Sequence, residues 1–115
     1  MKHLPVQRGD IWVADLPSAE GDVLRGRHPV IVVSSNRTNR RSRIITVVPL
    51  TSASKPPMPC HVKVFGFGLN RESTALVEQL TTIPKARIRF RVGSLAGFKK
   101  MLEIEQAMKL QLEVA

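Results

Sequence analysis

The feature that most constrains the fold of this chain is a pair of short, β-branched apolar runs with polar sequence around them. The first run covers residues 29–34 and the second covers residues 43–50. Runs of this length that are rich in valine and isoleucine and bounded by turn residues are typical of β-strands. Pro29 opens the first run, at a position where a strand tolerates the missing backbone N–H. Two strands are therefore predicted here.

Further segments of the same kind surround this pair. The other predicted strands are residues 9–16, 61–65, 74–80 and 87–92. The predicted connections are a glycine-containing loop over 17–28, a solvated arginine-rich turn over 35–42, and a turn or single helical turn over 84–86. Most of the chain is thus assigned to short strands separated by polar connections.

The apolar period becomes helical after Gly97. A stripe with i, i+3 and i+4 spacing faces either the core or a second copy of the chain: Phe98, Met101, Ile104, Met108 and Leu112. Many short strands followed by one helix indicate a mainly β fold with one C-terminal helix, arranged as a small antiparallel barrel. With 115 residues and no internal linker, residues 1–115 are predicted to form a single domain.

Composition limits the partners and the compartment. The net charge of +9, from 18 basic and 9 acidic residues, favours a polyanionic ligand. No apolar run approaches the ~20 residues of a membrane span, and no leader sequence is visible, so a cytoplasmic protein without membrane contact is expected. The single cysteine, Cys60, is expected to be unreactive. His3, His28 and His61 are scattered, so neither a metal nor another cofactor is expected.

One cluster of residues combines positive charge with a group that can transfer protons. Arg25, Arg27 and His28 lead directly into the first apolar run, and the second apolar run ends in the hydroxyl pair Thr51 and Ser52. Cationic, imidazole and hydroxyl groups at the ends of two strands could bind a phosphate and act on it. The residues alone therefore predict an anion-handling site.

Four segments, in order, resemble the MazF/PemK/Kid toxins of bacterial toxin–antitoxin systems. They are residues 8–12, 25–34, 46–52 and 78–83. The resemblance implies an SH3-like barrel of the MazF/PemK/CcdB type, a homodimer, and a cognate antitoxin that blocks the toxin. It also implies metal-independent cleavage of single-stranded RNA at short sequences, through attack of the ribose 2′-hydroxyl. That reaction leaves a 2′,3′-cyclic phosphate and a 5′-hydroxyl, and DNA should resist it.

The resemblance also implies roles for particular residues. Arg25 and Arg27 would supply charge to the phosphate, Thr51 would hydrogen-bond it with Ser52 as a substitute, and His28 stands where the family usually has a catalytic arginine. His28 could act as acid or base, the neighbouring arginines could replace the missing charge, or the enzyme could be disabled.

The remaining candidates have two interpretations each. Glu78 matches a position where some members have a catalytic aspartate, but it could instead be a structural carboxylate paired with an arginine. Gln79 is a candidate contact to a base edge, and Asn36 and Arg37 lie on a connection that either touches RNA or is simply solvated.

Two rival functions remain open at this stage. One is a CcdB-type toxin that poisons DNA gyrase by binding its surface, and the other is a basic SH3-like module that binds RNA without cleaving it. The four phenylalanines are predicted to lie in the core, which leaves few aromatic surfaces on which bases could stack: Phe65, Phe67, Phe90 and Phe98.

Overall fold

The computed structural model describes residues 5–115, which form seven strands and two helices. The strands are β1 (Asp10–Leu16), β2 (Gly26–Val32), β3 (Ile44–Thr51), β4 (His61–Val64), β5 (Ser73–Leu76), β6 (Thr81–Pro84) and β7 (Ile88–Ser94). The helices are α1 (Asn36–Arg41) and α2 (Lys99–Leu112), and two single 3₁₀ turns cover Val77–Gln79 and Lys85–Arg87. The prediction of a mainly β fold with one C-terminal helix is confirmed. Neither helix in this part of the chain is long and apolar enough to cross a membrane.

All strand pairs are antiparallel and follow the order β4-β5-β3-β2-β1-β7. The long strand β3 has different neighbours at its two ends: its first half pairs with β6, and its last residues, Leu50 and Thr51, pair with β5. Within residues 5–115 no pair joins β4 to β7, so the ladder curves without closing as a hydrogen-bonded barrel.

The sheet buries apolar side chains on both faces, which explains why β2 and β3 read as continuous apolar runs. One cluster includes Ile31, Val48 and Leu50 and is covered by α2. The other cluster lies on the opposite face around Trp12 and Val30. The central strands are therefore held from both sides, and their ends present side chains from a rigid base.

Two predicted connections differ from the structure. Strand β2 begins at Gly26, so Arg27 and His28 belong to a strand rather than to the preceding loop. The segment predicted as a turn over 35–42 contains α1, which begins after Ser35 because its side-chain oxygen accepts a hydrogen bond from the Thr38 backbone N–H. No apolar period signals this helix, so the sequence pattern predicted only a polar connection.

Three further expectations also need correction. The predicted strand over 74–80 ends at Leu76 and continues as a 3₁₀ turn. Three of the four phenylalanines predicted to be core are exposed, namely Phe65, Phe90 and Phe98. In the C-terminal helix Met101 and Ile104 are buried as the stripe predicted, whereas Leu112 is exposed and Ala107 is buried instead.

Candidate active site

The two most important candidate residues, His28 and Thr51, lie at the same end of the paired strands β2 and β3. The ladder pairs Val32 with Val47 and Val30 with Pro49. The described pairing ends there, and His28 and Thr51 each lie two residues beyond this last pair along their own strands. Side chains alternate between faces along a strand, so His28 and Thr51 share the face of Val30 and Pro49.

The same row continues across β5 and β4. Thr51 pairs with Thr74, and Thr74 pairs with Lys63. The Lys63 ammonium donates a hydrogen bond to the Thr74 hydroxyl at 3.0 Å. A row of hydroxyl and ammonium groups therefore crosses β3, β5 and β4. Nothing in the sequence pattern singled out Lys63 or Thr74, because their proximity follows from strand pairing.

Thr51 is buried, and its hydroxyl oxygen accepts a hydrogen bond from the Ala53 backbone N–H at 3.2 Å. This contact fixes the oxygen and leaves the hydroxyl proton able to donate. A phosphate oxygen at the rim of the sheet is a suitable acceptor for that proton. The neighbouring Ser52 is exposed just beyond the end of β3.

The environment of His28 favours the neutral imidazole. Partial burial is the largest cause that lowers its pKa below the usual 6.5, and the nearby Lys55 ammonium lowers it further, while a hydrogen bond to the Arg25 backbone acts in the opposite direction. A neutral ring can accept a proton near neutral pH, which is the requirement for a general base. Lys55 was not among the residues identified from the sequence, because it lies in a connection without a motif.

The two arginines before His28 have different partners. Arg25 donates from one guanidinium nitrogen to the Ala19 carbonyl oxygen at 2.7 Å. Arg27 forms an ion pair with Asp15 at 2.8 Å, and Arg89 binds the same carboxylate. The hydrogen bonds from Arg27 and Arg89 lower the pKa of Asp15 to about 2. Asp15 therefore compensates part of the charge of Arg27, which shares this carboxylate with Arg89, whereas Arg25 binds only a neutral carbonyl.

Glu78 contacts a histidine rather than an arginine. One of its carboxylate oxygens, Oε2, lies 2.9 Å from His61 Nε2, and the other lies 3.8 Å from the Cys60 thiol. Cys60 is buried, and that burial raises the pKa of its thiol, which disfavours the reactive thiolate. Within residues 5–115, no three His, Cys, Asp or Glu side chains converge to hold a metal, and His3 lies outside this range.

Two of the candidate RNA contacts, Gln79 and Asn36, make structural hydrogen bonds. The Gln79 amide accepts from the Leu24 N–H at 2.6 Å and donates to the Asp22 carbonyl at 2.9 Å, which ties the connection between β1 and β2 to the turn after β5. The Asn36 carbonyl oxygen accepts from the Arg8 N–H at 2.6 Å. Arg37 is exposed on α1. Of these three side chains, only Arg37 has no described hydrogen bond that would compete with a ligand.

Comparison with known proteins identifies relatives along nearly the whole chain. Residues 7–112 match the family described as PemK-like, MazF-like toxin of type II toxin–antitoxin system. Endoribonuclease MazF of Staphylococcus saprophyticus is 30% identical over 110 residues, which cover 93% of this chain and 91% of that relative.

Solved structures show the same fold. MazF from Deinococcus radiodurans superposes with a TM-score of 0.79 at 18% identity, over 98% of this chain and 100% of that one. A mycobacterial endoribonuclease in complex with its cognate antitoxin superposes with a TM-score of 0.74 at 22% identity, over 96% of each chain.

Proposed function

The chain belongs to the PemK-like, MazF-like toxins of type II toxin–antitoxin systems, and we propose that it is an endoribonuclease that cleaves single-stranded RNA at the His28–Thr51 pair. The observation that supports this most strongly is the β2–β3 register, because His28 and the buried Thr51 both lie two residues beyond its last pair, Val30 and Pro49, at the same end of the two strands. The relatives named endoribonucleases favour this activity over gyrase poisoning and over RNA binding without turnover.

In the proposed reaction the substrate supplies its own nucleophile. Neutral His28 takes the proton from a ribose 2′-hydroxyl, and the 2′-oxygen attacks the adjacent phosphorus. The bond from phosphorus to the 5′-oxygen breaks as that oxygen takes a proton from solvent water. The products are a 2′,3′-cyclic phosphate on one fragment and a 5′-hydroxyl on the other, and His28 returns its proton to solvent. This chemistry requires no nucleophile from the protein, and it requires the 2′-hydroxyl, so DNA is not a substrate.

The charge that develops on the phosphoryl oxygens needs fixed donors nearby. Thr51 donates its hydroxyl proton, and Arg25 and Lys55 contribute positive charge from the two connections beside His28. Preorganised donors of this kind are worth about 3–4 kcal/mol each when removed from an enzyme. Because Asp15 compensates part of the charge of Arg27, we assign Arg27 a smaller share of this stabilisation than Arg25.

The activity is tested by incubating the purified chain, in EDTA, with a long single-stranded RNA and with DNA of the same sequence. Discrete RNA fragments that end in cyclic phosphate, with intact DNA, are the expected result. Intact RNA would contradict the proposed activity, and gyrase inhibition would then be the next assay. RNA that is bound but not cut would instead favour the binding module.

We also propose a cognate antitoxin as a protein partner, by analogy with the mycobacterial endoribonuclease that was solved with its own antitoxin. Co-expression of the chain with a neighbouring antitoxin gene should yield a co-purifying complex that no longer cleaves RNA. If the chain purified without the antitoxin and cleaved RNA at its full rate when the antitoxin was added, the proposed complex would be contradicted.

A homodimer is the third part of this proposal. Helix α2 leaves large apolar side chains exposed on its outer side, including Leu102 at 60% and Leu110 at 55%. Light scattering should give twice the 12.8 kDa of one chain, and Leu102→Glu with Leu110→Glu should give monomers. A wild-type chain that stays monomeric at micromolar concentration would contradict this part.

A further inference from the structure

A cavity of about 280 Å³ lies between the β1–β2 connection and the turn after β5. Its walls are mostly apolar, with Leu16, Leu24, Pro49 and Leu80 among them, and Glu78 is one of the residues that line it. We propose that this cavity binds one nucleobase of the RNA and that Glu78 selects bases that carry an exocyclic amino group. The inference rests on the proposed function, since it assigns base specificity to the same site.

The cavity adjoins the phosphate-binding residues. Pro49 lies two residues before Thr51 on the same strand face, and Leu16 pairs with Gly26, two residues before His28. Two residues along a strand span about 7 Å. A nucleotide whose phosphate contacts the His28–Thr51 pair can therefore place its own base, or the next one, inside the cavity.

The size of the cavity suits a single ring system. Pockets for drug-sized molecules enclose roughly 300–1,000 Å³, so this cavity lies just below that range. The apolar walls match the faces of a base. The cavity wall formed by the β1–β2 connection is held in place, because the Gln79 side chain hydrogen-bonds both Asp22 and Leu24 of that connection.

The chemistry of Glu78 determines which base fits. An ionised carboxylate only accepts hydrogen bonds. His61 holds Oε2 at 2.9 Å, while Oε1 has only the weak thiol donor of Cys60 at 3.8 Å, so Oε1 can accept another hydrogen bond. Adenine, cytosine and guanine each offer an amino group to such an acceptor. Uracil presents carbonyl oxygens on either side of its single N–H, and these would repel the carboxylate.

Non-cleavable RNAs test this inference separately from the chemical step. The cleaved bond is first mapped on unmodified RNA, and the nucleotide that supplies the 2′-hydroxyl is then made 2′-deoxy. At each neighbouring position, an amino-bearing base is compared with its deaminated counterpart: adenine with hypoxanthine, and cytosine with uracil. A hydrogen bond to a charged group is worth about 1.5–3 kcal/mol, so we expect about 10–150-fold weaker binding of the deaminated base at one position.

A pair of variants assigns the preference to Glu78. Glu78→Gln, whose amide can both donate and accept, should remove most of the discrimination at that position. Glu103→Gln, on the exposed side of α2 beside Lys100, should keep it. The comparison on the wild-type chain needs no variant, so a poorly folded Glu78→Gln would not weaken the test.

Each outcome separates the two proposals. Cleavage of RNA without a preference between amino-bearing and deaminated bases at any position would overturn the cavity assignment alone. A folded Glu78→Gln that distinguishes the two bases as well as the wild type does would also overturn it. A Glu78→Gln whose only change is a slower cleavage rate would overturn it too. A wild-type chain that cleaves no RNA would overturn the proposed function, and the cavity assignment with it.

Discussion

His28 is the residue whose environment most directly sets the behaviour of the enzyme. Burial and Lys55 lower its pKa below 6.5, so the base is in its active, neutral form at neutral pH. Protonation removes the base, so kcat/KM should fall as the pH drops through this lowered pKa. His28→Arg should lower kcat/KM and abolish this acid limb. A pH profile of each enzyme checks this, and an unchanged limb in His28→Arg would show that another group titrates.

The two arginines provide a matched comparison at the same scale. Arg25→Ala removes a charge that binds only a neutral carbonyl, whereas Arg27→Ala removes one that Asp15 already compensates in part. We expect a loss of kcat/KM of roughly 10²-fold for Arg25→Ala, in line with the removal of a transition-state donor, and a loss of at most a few-fold for Arg27→Ala. The reverse order would contradict the assignment of phosphate charge to Arg25.

Asp15 itself links the surface ion pairs to acid stability. Its pKa is lowered from 3.8 to about 2 in the folded chain, so its ion pairs stabilise the fold above the unfolded pKa and are lost as the pH falls from 3.8 towards 2. Urea unfolding of Asp15→Asn should therefore show a weaker dependence on pH in this interval than the wild type. Parallel curves for the two proteins would contradict the shifted pKa.

At the scale of elements, six of the seven strands and α2 were predictable because each has a local apolar pattern, whereas the short strand β6 (Thr81–Pro84) was not predicted. Helix α1 was not, because it is held by polar contacts: Ser35 caps it, and the Asn39 amide bonds the Ser34 carbonyl. Arg25, His28 and Thr51 were identified from their residue types at the ends of two predicted strands, and the resemblance to the family added their individual roles. Their relation in space, the proximity of Lys55 and the His61–Glu78 pair follow from strand pairing and loop geometry, which no local pattern encodes.

Strand β7 passes close to the turn after β4, and this close approach leads to a prediction about the stability of the fold. A Cβ on Gly93 would lie 1.9 Å from the Phe67 carbonyl oxygen, whereas one on Gly97 would meet nothing within 4 Å. Gly97→Ala therefore incurs only the strain of a positive φ, roughly 1–2 kcal/mol. Gly93→Ala should destabilise the fold by at least about 2 kcal/mol more, as measured by denaturant unfolding. Equal stabilities would contradict the close approach.

At the scale of the whole molecule, the net charge of +9 should make RNA binding depend on salt. For single strands, the logarithm of the association constant falls with the logarithm of salt concentration with a slope of about −0.7 per neutralised phosphate. We expect a slope steeper than about −2, which corresponds to three or more phosphate contacts. Titrations of a non-cleavable RNA at several salt concentrations measure it, and a slope near zero would show that the basic surface does not bind the backbone.

The central claim is that His28 and Thr51 form the RNA-cleaving site, and single-turnover cleavage by His28→Ala and Thr51→Val tests it most directly. Loss of a general base lowers rates by about 10²–10⁴-fold, and we expect a loss in that range for His28→Ala. For Thr51→Val we expect a loss of at least about 10²-fold, the effect of one missing donor. Both variants should keep the wild-type thermal midpoint to within a few degrees. Full cleavage rates in both variants would contradict the claim and place the chemistry elsewhere on the chain.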